Sequence, residues 1–344
     1  MKMLQYFSRT STFFAAIILI GLVSCSKEER GAVNCPRIAA LKETQNDPLY
    51  KITVYAGKNL ENGEDHDIDG VLCKARFSNL IYSCVHSDGT VFLSDTYNRK
   101  VKKISPEGVV STLASLKEGM PLSLKCDLQG NLYVLAVNSA PSGVYYSICK
   151  INPAGQVVAI VENTGQGMLL EDISINNVGE IFVATRSQIF KYSDDGNKVL
   201  YAGKPTAGFM NGQKEEALFN SITGLECDKE GNLYVTDGNN FCVRKIAADG
   251  TVSTVAGKPG VSSHPSKDGT GEGALFSYPT TLALDEDGNI FVGEQFSIRK
   301  INREQKVSTI SSNSIYNIKS LCANSRFLYL TEDGQAKICR MRIK

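Results

Sequence analysis

Four carboxylates stand at one position of a repeated pattern: Asp95, Asp237, Glu294 and Glu332 each end a short β-rich run such as LYVTD (Leu233 to Asp237). Tyr97, Asn98, Asn239 and Gln295 lie within three residues of them and add donors and acceptors. Gathered on one surface, such groups would hold a cation or a hydroxyl-rich ligand. Held apart, each carboxylate would instead cap its own loop, because short acidic side chains accept bonds from nearby backbone N–H groups. A second constellation is DHDIDG, in which Asp65, Asp67 and Asp69 have the spacing that opens a calcium loop. An EF-hand needs a bidentate Glu at the twelfth position, but Arg76 stands there. That identity fails, and a looser calcium site is the metal chemistry these residues admit; no other cofactor is expected. The histidines, His66, His86 and His264, are scattered, with no spacing that makes them converge on a zinc ion or an acid/base pair. No G-x-S-x-G, H-E-x-x-H or P-loop pattern occurs, so no catalytic residue is assigned.

The elements that must position these groups are short strands. From about Tyr50 to Lys344 one module recurs: an apolar run, a Gly turn, a β-rich run, a VRKI-like run, a second Gly turn and a run such as VSTVAGK. Four strands per unit follow from that punctuation. Six units are expected, at about 71–115, 116–163, 164–204, 205–258, 259–311 and 312–344. The last is one strand short, while ITVYAGK (Ile52 to Lys58) stands alone in front of the first. Adding the strand at about 52–57 to the last unit closes a ring, and the fold class is an all-β, six-bladed β-propeller of four-stranded antiparallel blades. First turns fall at sites such as SDG (Ser87 to Gly89) and KEGN (Lys229 to Asn232), where Gly supplies the positive φ. In the fifth unit REQ (Arg303 to Gln305) replaces the second Gly turn.

GNLYVTD with VRKI and TVSTVAGK in the fourth unit, and GNIFVGE with IRKI and KVSTI in the fifth, resemble NHL repeats of six-bladed propellers. The resemblance is strengthened by DG or NG followed by A-x-F: Asp69, Gly70, Ala75, Phe77; Asn211, Gly212, Ala217, Phe219; Asp268, Gly269, Ala274, Phe276. Units two and three depart from it, with Ala136 and Thr185 at the acidic position and no DG loop. The resemblance implies that the loops leading into each blade and those joining its second and third strands share the ligand face. Asp95, Tyr97, Asn98, Asp237, Asn239, Glu294, Gln295 and Glu332 would lie there. It implies a module binding a protein, peptide or glycan, with a lactonase- or lyase-type enzyme, using a channel metal or an acid/base pair, as the alternative. The absence of Trp removes the largest flat stacking surface for sugars.

The N-terminus reads as an export signal: Lys2 and Arg9, an apolar stretch from Phe13 to Val23, then Ser24 and Cys25. LVSC (Leu22 to Cys25) resembles the bacterial lipobox, which implies cleavage of residues 1–24, lipidation of Cys25 and a membrane partner reached through that lipid. Ser26 after the Cys favours the outer membrane, on its periplasmic or cell-surface side. Residues 25–49 are polar, with Pro36 and Pro48, and read as a tether reaching roughly 25–30 Å if flexible. Of 37 basic and 36 acidic residues, loss of Lys2 and Arg9 leaves a net charge of −1, and with no basic stripe nucleic acid is excluded as a partner. Cys126, Cys227 and Cys322 are read at one repeat position, which argues for buried free thiols over disulfides. Cys35 and Cys73, outside the strands, escape that argument.

Overall fold

The computed structural model describes residues 48–58, 65–141, 143–165, 168–312 and 315–344. The export signal, Cys25 and the tether up to residue 47 lie outside the described residues. The chain forms six antiparallel sheets, and the innermost strands, Leu80–Val85, Met120–Cys126, Asp172–Ile175, Ile222–Cys227, Thr281–Leu284 and Ile318–Ala323, each touch the next around a ring that closes from the sixth back to the first. These are the six blades of a β-propeller. In blade six the outer strand is Ile52–Gly57, paired antiparallel with Lys337–Arg342, so the first strand of the domain completes the last sheet.

Alternating apolar residues cover both faces of each sheet, and the core is divided accordingly into six apolar clusters, one between each neighbouring pair of blades. The A-x-F residues fill three of these seams. Ala75 and Phe77, Ala217 and Phe219, and Ala274 and Phe276 are all fully buried, each Phe contributing about 2–3 kcal/mol of apolar burial. The preceding AGK runs make the necessary room: a Cβ on Gly257 would lie 2.4 Å from the Phe241 carbonyl oxygen and 2.8 Å from the Phe276 ring. Gly57 makes the same approach to Phe77. The two motifs therefore occur together because one is the socket of the other.

Blades one, four and five have a fifth strand that the repeat pattern did not disclose. The two-residue segments Gly70–Val71, Gly212–Gln213 and Gly269–Thr270 pair with the outer strands of their own blades. They belong to the long leading loops that carry the DG or NG pair. The REQ turn closes without glycine because Gln305 itself adopts a φ of 59°. One cysteine position needs correction. Cys126 and Cys227 pair with Leu132 and Leu233, the first residues of their second strands, but Cys322 pairs with Tyr329, one step further in. The hairpin of blade six is one residue shorter, since Asn324 N–H bonds Phe327 O where Asp228 N–H bonds Asn232 O. A one-residue slip turns a side chain to the opposite face, so Cys322 matches Cys84, which faces Phe92. Seven of the described cysteines are free thiols, and Cys73 is disulfide-bonded with its partner outside the described residues.

Candidate functional site

The four carboxylates at the ends of second strands are held by their own blades. Asp95 is fully buried and accepts bonds from Ser78 N (2.9 Å), Asn79 N (3.4 Å) and Asn98 Nδ2 (2.9 Å). Asp237, also fully buried, accepts from Asn220 N, Asn240 Nδ2 and Arg244 Nη1. Glu294 accepts from Ser266, Ser277, Ser297 and Arg299, and Glu332 from Tyr316 N. Among the described residues no hydrogen bond joins one of these acids to another. Tyr97 and Gln295 are exposed, Asn98 also donates to His66 O (2.7 Å), and Asn239 donates to Asn220 Oδ1 (3.2 Å). The geometry is that of loop caps.

Two of these carboxylates, Asp237 and Glu294, bond a buried arginine that the sequence showed but did not explain, and blade one has a lysine at the same repeat position. Lys102, Arg244 and Arg299 occupy the basic position of VKKI, VRKI and IRKI and are fully buried. Arg244 bonds Asp237 at 2.9 Å, Asn211 Oδ1 at 2.7 Å and the Met210 and Leu218 carbonyls. Its guanidinium carbon lies 4.5 Å from the Phe209 ring centroid and 5.0 Å from that of Phe219. Arg299 does the same with Glu294, Asp268 and Phe276. Lys102 bonds Asp67 and, at 2.7 Å, Asp69, and Lys100 also pairs with Asp67. An ammonium group thus stands between the two aspartates proposed for calcium, and a metal ion would have to displace it. Asp65 instead accepts the Asp67 N–H at 2.9 Å, and among the described residues no three His, Cys, Asp or Glu side chains form a metal-binding group.

Burial pushes the Asp95 carboxyl up to about 6, against the opposing pull of Asn98 and Ser78. A carboxyl whose pKa is higher folded than unfolded stabilises the fold below the unfolded value near 4, and that contribution is lost as pH rises through about 6. Denaturant unfolding from pH 4 to 6 is expected to show a decline of up to about 3 kcal/mol that Asp95→Asn lacks. An equal decline in the variant would assign the pH dependence elsewhere.

The channel holds a different charged group. Lys125 of blade two pairs with Glu226 of blade four, spanning blade three. Asp172 of blade three accepts Ser123 Oγ and the Leu225 N–H (2.8 Å). The inner strands have one unpaired edge each, and polar side chains supply part of the missing ladder: Ser320 Oγ takes the Ser83 N–H (3.1 Å) and Ser174 Oγ the Cys227 N–H (3.1 Å). Burial works against the Lys125 ammonium, yet the Glu226 and Asp172 carboxylates hold its pKa above the usual lysine range. Burial pushes Glu226 up despite Lys125.

At the end where first and second strands join, opposite the second-to-third loops, a cavity of about 760 Å³ opens. Glu226, Cys126 and Cys227 line it, with His86, Ala323 and Arg303 among its other walls. Asp127, Asp228 and Asp285 are rim residues that lock their turns, each accepting from an Asn four residues on. None of the eight loop-face residues singled out in the sequence lines this cavity. His86 is on its rim, its Nδ1 3.0 Å from Asp88, while His264 packs at a tilt against Phe296 (5.6 Å between ring centroids) in the loops of blade five. Lys125, Asp172 and Glu226 went unnoticed because they occupy inner-strand positions where other units place Cys, Ser, Ala, Gly or Thr; a charge inside an otherwise apolar inner strand was the available signal.

No protein-family profile matches the chain. Human Teneurin-1 is 26% identical over 212 residues, 57% of this chain and 8% of that protein; the chain spans a tenth or less of the length of the curated relatives it matches. Among solved structures, a protein of unknown function from Bacteroides thetaiotaomicron superposes with a TM-score of 0.64 at 17% identity, covering 85% of this chain and 75% of that one. An auxiliary nutrient binding protein from Bacteroides ovatus gives 0.62 at 14% identity over 84% and 76%. Virginiamycin B lyase from Staphylococcus aureus gives 0.55 at 11% identity over 86% and 99%. At these identities the likeness is one of architecture, and the chain is by fold a six-bladed β-propeller.

Proposed function

We propose that the protein is a binding module that takes a small polar ligand, a glycan or the end of a peptide, in the cavity at the hairpin-turn end of its channel. The observation that carries this reading is the open cavity of about 760 Å³, within the size range of small-molecule sites. The loop-face carboxylates, by contrast, are spent on their own loops. The likeness to an auxiliary nutrient binding protein supports it. The NHL-type repeat and the lipobox-like LVSC (Leu22 to Cys25) extend it to a lipoprotein displayed outside the cytoplasm. A ligand present at a hundred times its Kd is expected to add about 2.7 kcal/mol to the stability of the wild type. Ala323→Trp, which fills the wall, should abolish that gain while its unliganded melt stays cooperative. Undiminished stabilisation of Ala323→Trp would move the site elsewhere.

A second reading, an acid/base enzyme of the lactonase or lyase kind, is favoured by one observation: Glu226 lines the cavity with its pKa raised by burial, as a general acid requires. Glu226→Gln would then keep ligand binding and lose turnover; retained turnover removes this reading.

A further inference from the structure

We propose that Cys73 is bonded to Cys35 and that this disulfide carries the pull of the lipid anchor past the ring-closing strand Ile52–Gly57. Cys73 is disulfide-bonded, and the other seven described cysteines carry thiols. Of the ten cysteines in the sequence, Cys25 and Cys35 are left as partners. A sulfur that holds a lipid as a thioether has no thiol left to oxidise, so the lipoprotein reading, on which this choice rests, leaves Cys35. The bond forms by exchange with a donor disulfide of the exported compartment. The two thiols give up two protons and two electrons, and the donor departs as a dithiol.

The position of Cys73 gives the bond its consequence. Leu72, beside it, accepts the Gly57 N–H (3.1 Å) at the end of the ring-closing strand and donates to Gly108 O (3.2 Å) in blade one. The Cys73 carbonyl oxygen accepts Arg76 Nη1 (3.1 Å), and the turn leads straight into the buried Ala75 and Phe77. Cys73 is thus fixed to blade one at the seam where the ring closes. The loop closed by the disulfide runs from Cys35 to Cys73 and contains the whole of Ile52–Gly57. That strand is the outermost of its sheet, paired on one side with Lys337–Arg342. Without the bond, a pull on Cys25 would reach Ile52 first and break the strand's hydrogen bonds one after another. With it, the pull passes from Cys35 to Cys73 and spreads over blade one, and Ile52–Gly57 lies outside the loaded path.

The test uses the full chain expressed with its export signal, alkylated, digested with trypsin and mapped by mass without reduction. Residues 31–37 joined to residues 59–74 are expected, a pair that separates on reduction. Cys35→Ser combined with Cys73→Ser should lower Tm by about 4–8 °C, since the cross-link no longer restrains the unfolded chain. Pulled between Ser26 and Lys344 in a single-molecule force measurement, that variant should show an early low-force opening that the oxidised wild type lacks. If the variant fails to fold, the wild-type map still decides. Alkylated Cys73, or the same early opening in both chains, overturns the proposal and leaves the lipoprotein reading intact. The lipid is scored separately by the mass of residues 25–27. A link between Cys73 and Cys25 overturns both readings, and a Cys35 link without lipid at Cys25 overturns the load path.

Discussion

Arg244→Met is expected to destabilise the domain by about 3–5 kcal/mol, because it leaves the carboxylate of Asp237 buried without its counter-charge. Arg244 and Asp237 are both fully enclosed, so water cannot replace the lost partner, and the Asn211 and Met210 acceptors lose their donor as well. The measurement is equilibrium denaturant unfolding of wild type, Arg244→Met, Asp237→Asn and the double variant. The double should recover a large part of the loss, since it leaves no buried charge without a partner. The companion change Lys191→Met breaks the half-exposed pair with Glu180 and is expected to cost under about 1 kcal/mol. Equal losses at both sites would mean that the buried arginine does not pin the leading loop.

Lys125→Met is expected to cost roughly 3 kcal/mol at neutral pH, since it strips the counter-charge from Glu226 and Asp172 together. The sign of its pH dependence distinguishes this cause from a packing defect. With burial raising the Glu226 pKa, acidification protonates that carboxyl and removes the unpaired charge, so the deficit should shrink as pH falls through the raised value. Lys125→Met combined with Glu226→Gln should behave at neutral pH as the single variant does in acid. A deficit independent of pH would show that the methylene stem, and not the charge, matters at this position.

The blade count and ring closure were legible because strand, turn and strand repeat locally: Gly89, Gly130, Gly179, Gly231 and Gly288 all take positive φ where turns were expected. The short fifth strands were not, since two residues carry no periodicity. The buried cations were visible as the K or R of VKKI and VRKI, yet a basic residue in a strand ordinarily points to water. Their burial follows from the leading loop folding back over them, as Asn211 and Asp268 show. Lys125 and Glu226 are a hundred and one residues apart and meet only once three blades are in place. The cavity escaped notice for the same reason: its walls come from turns of blades one, two, four, five and six, each unremarked as a turn in isolation.

The pairing of Ile52–Gly57 with Lys337–Arg342 makes the domain a circle whose opening is a matter of where the chain happens to be cut. Both ends of the propeller lie in one sheet, so residues 50–344 joined end to end and reopened between blades one and two, near Glu118, would preserve every sheet while moving the seam. Such a permutant would build blade six from contiguous sequence and trade one long-range strand pairing for a local one, a change felt in the rate at which the ring closes more than in its final stability.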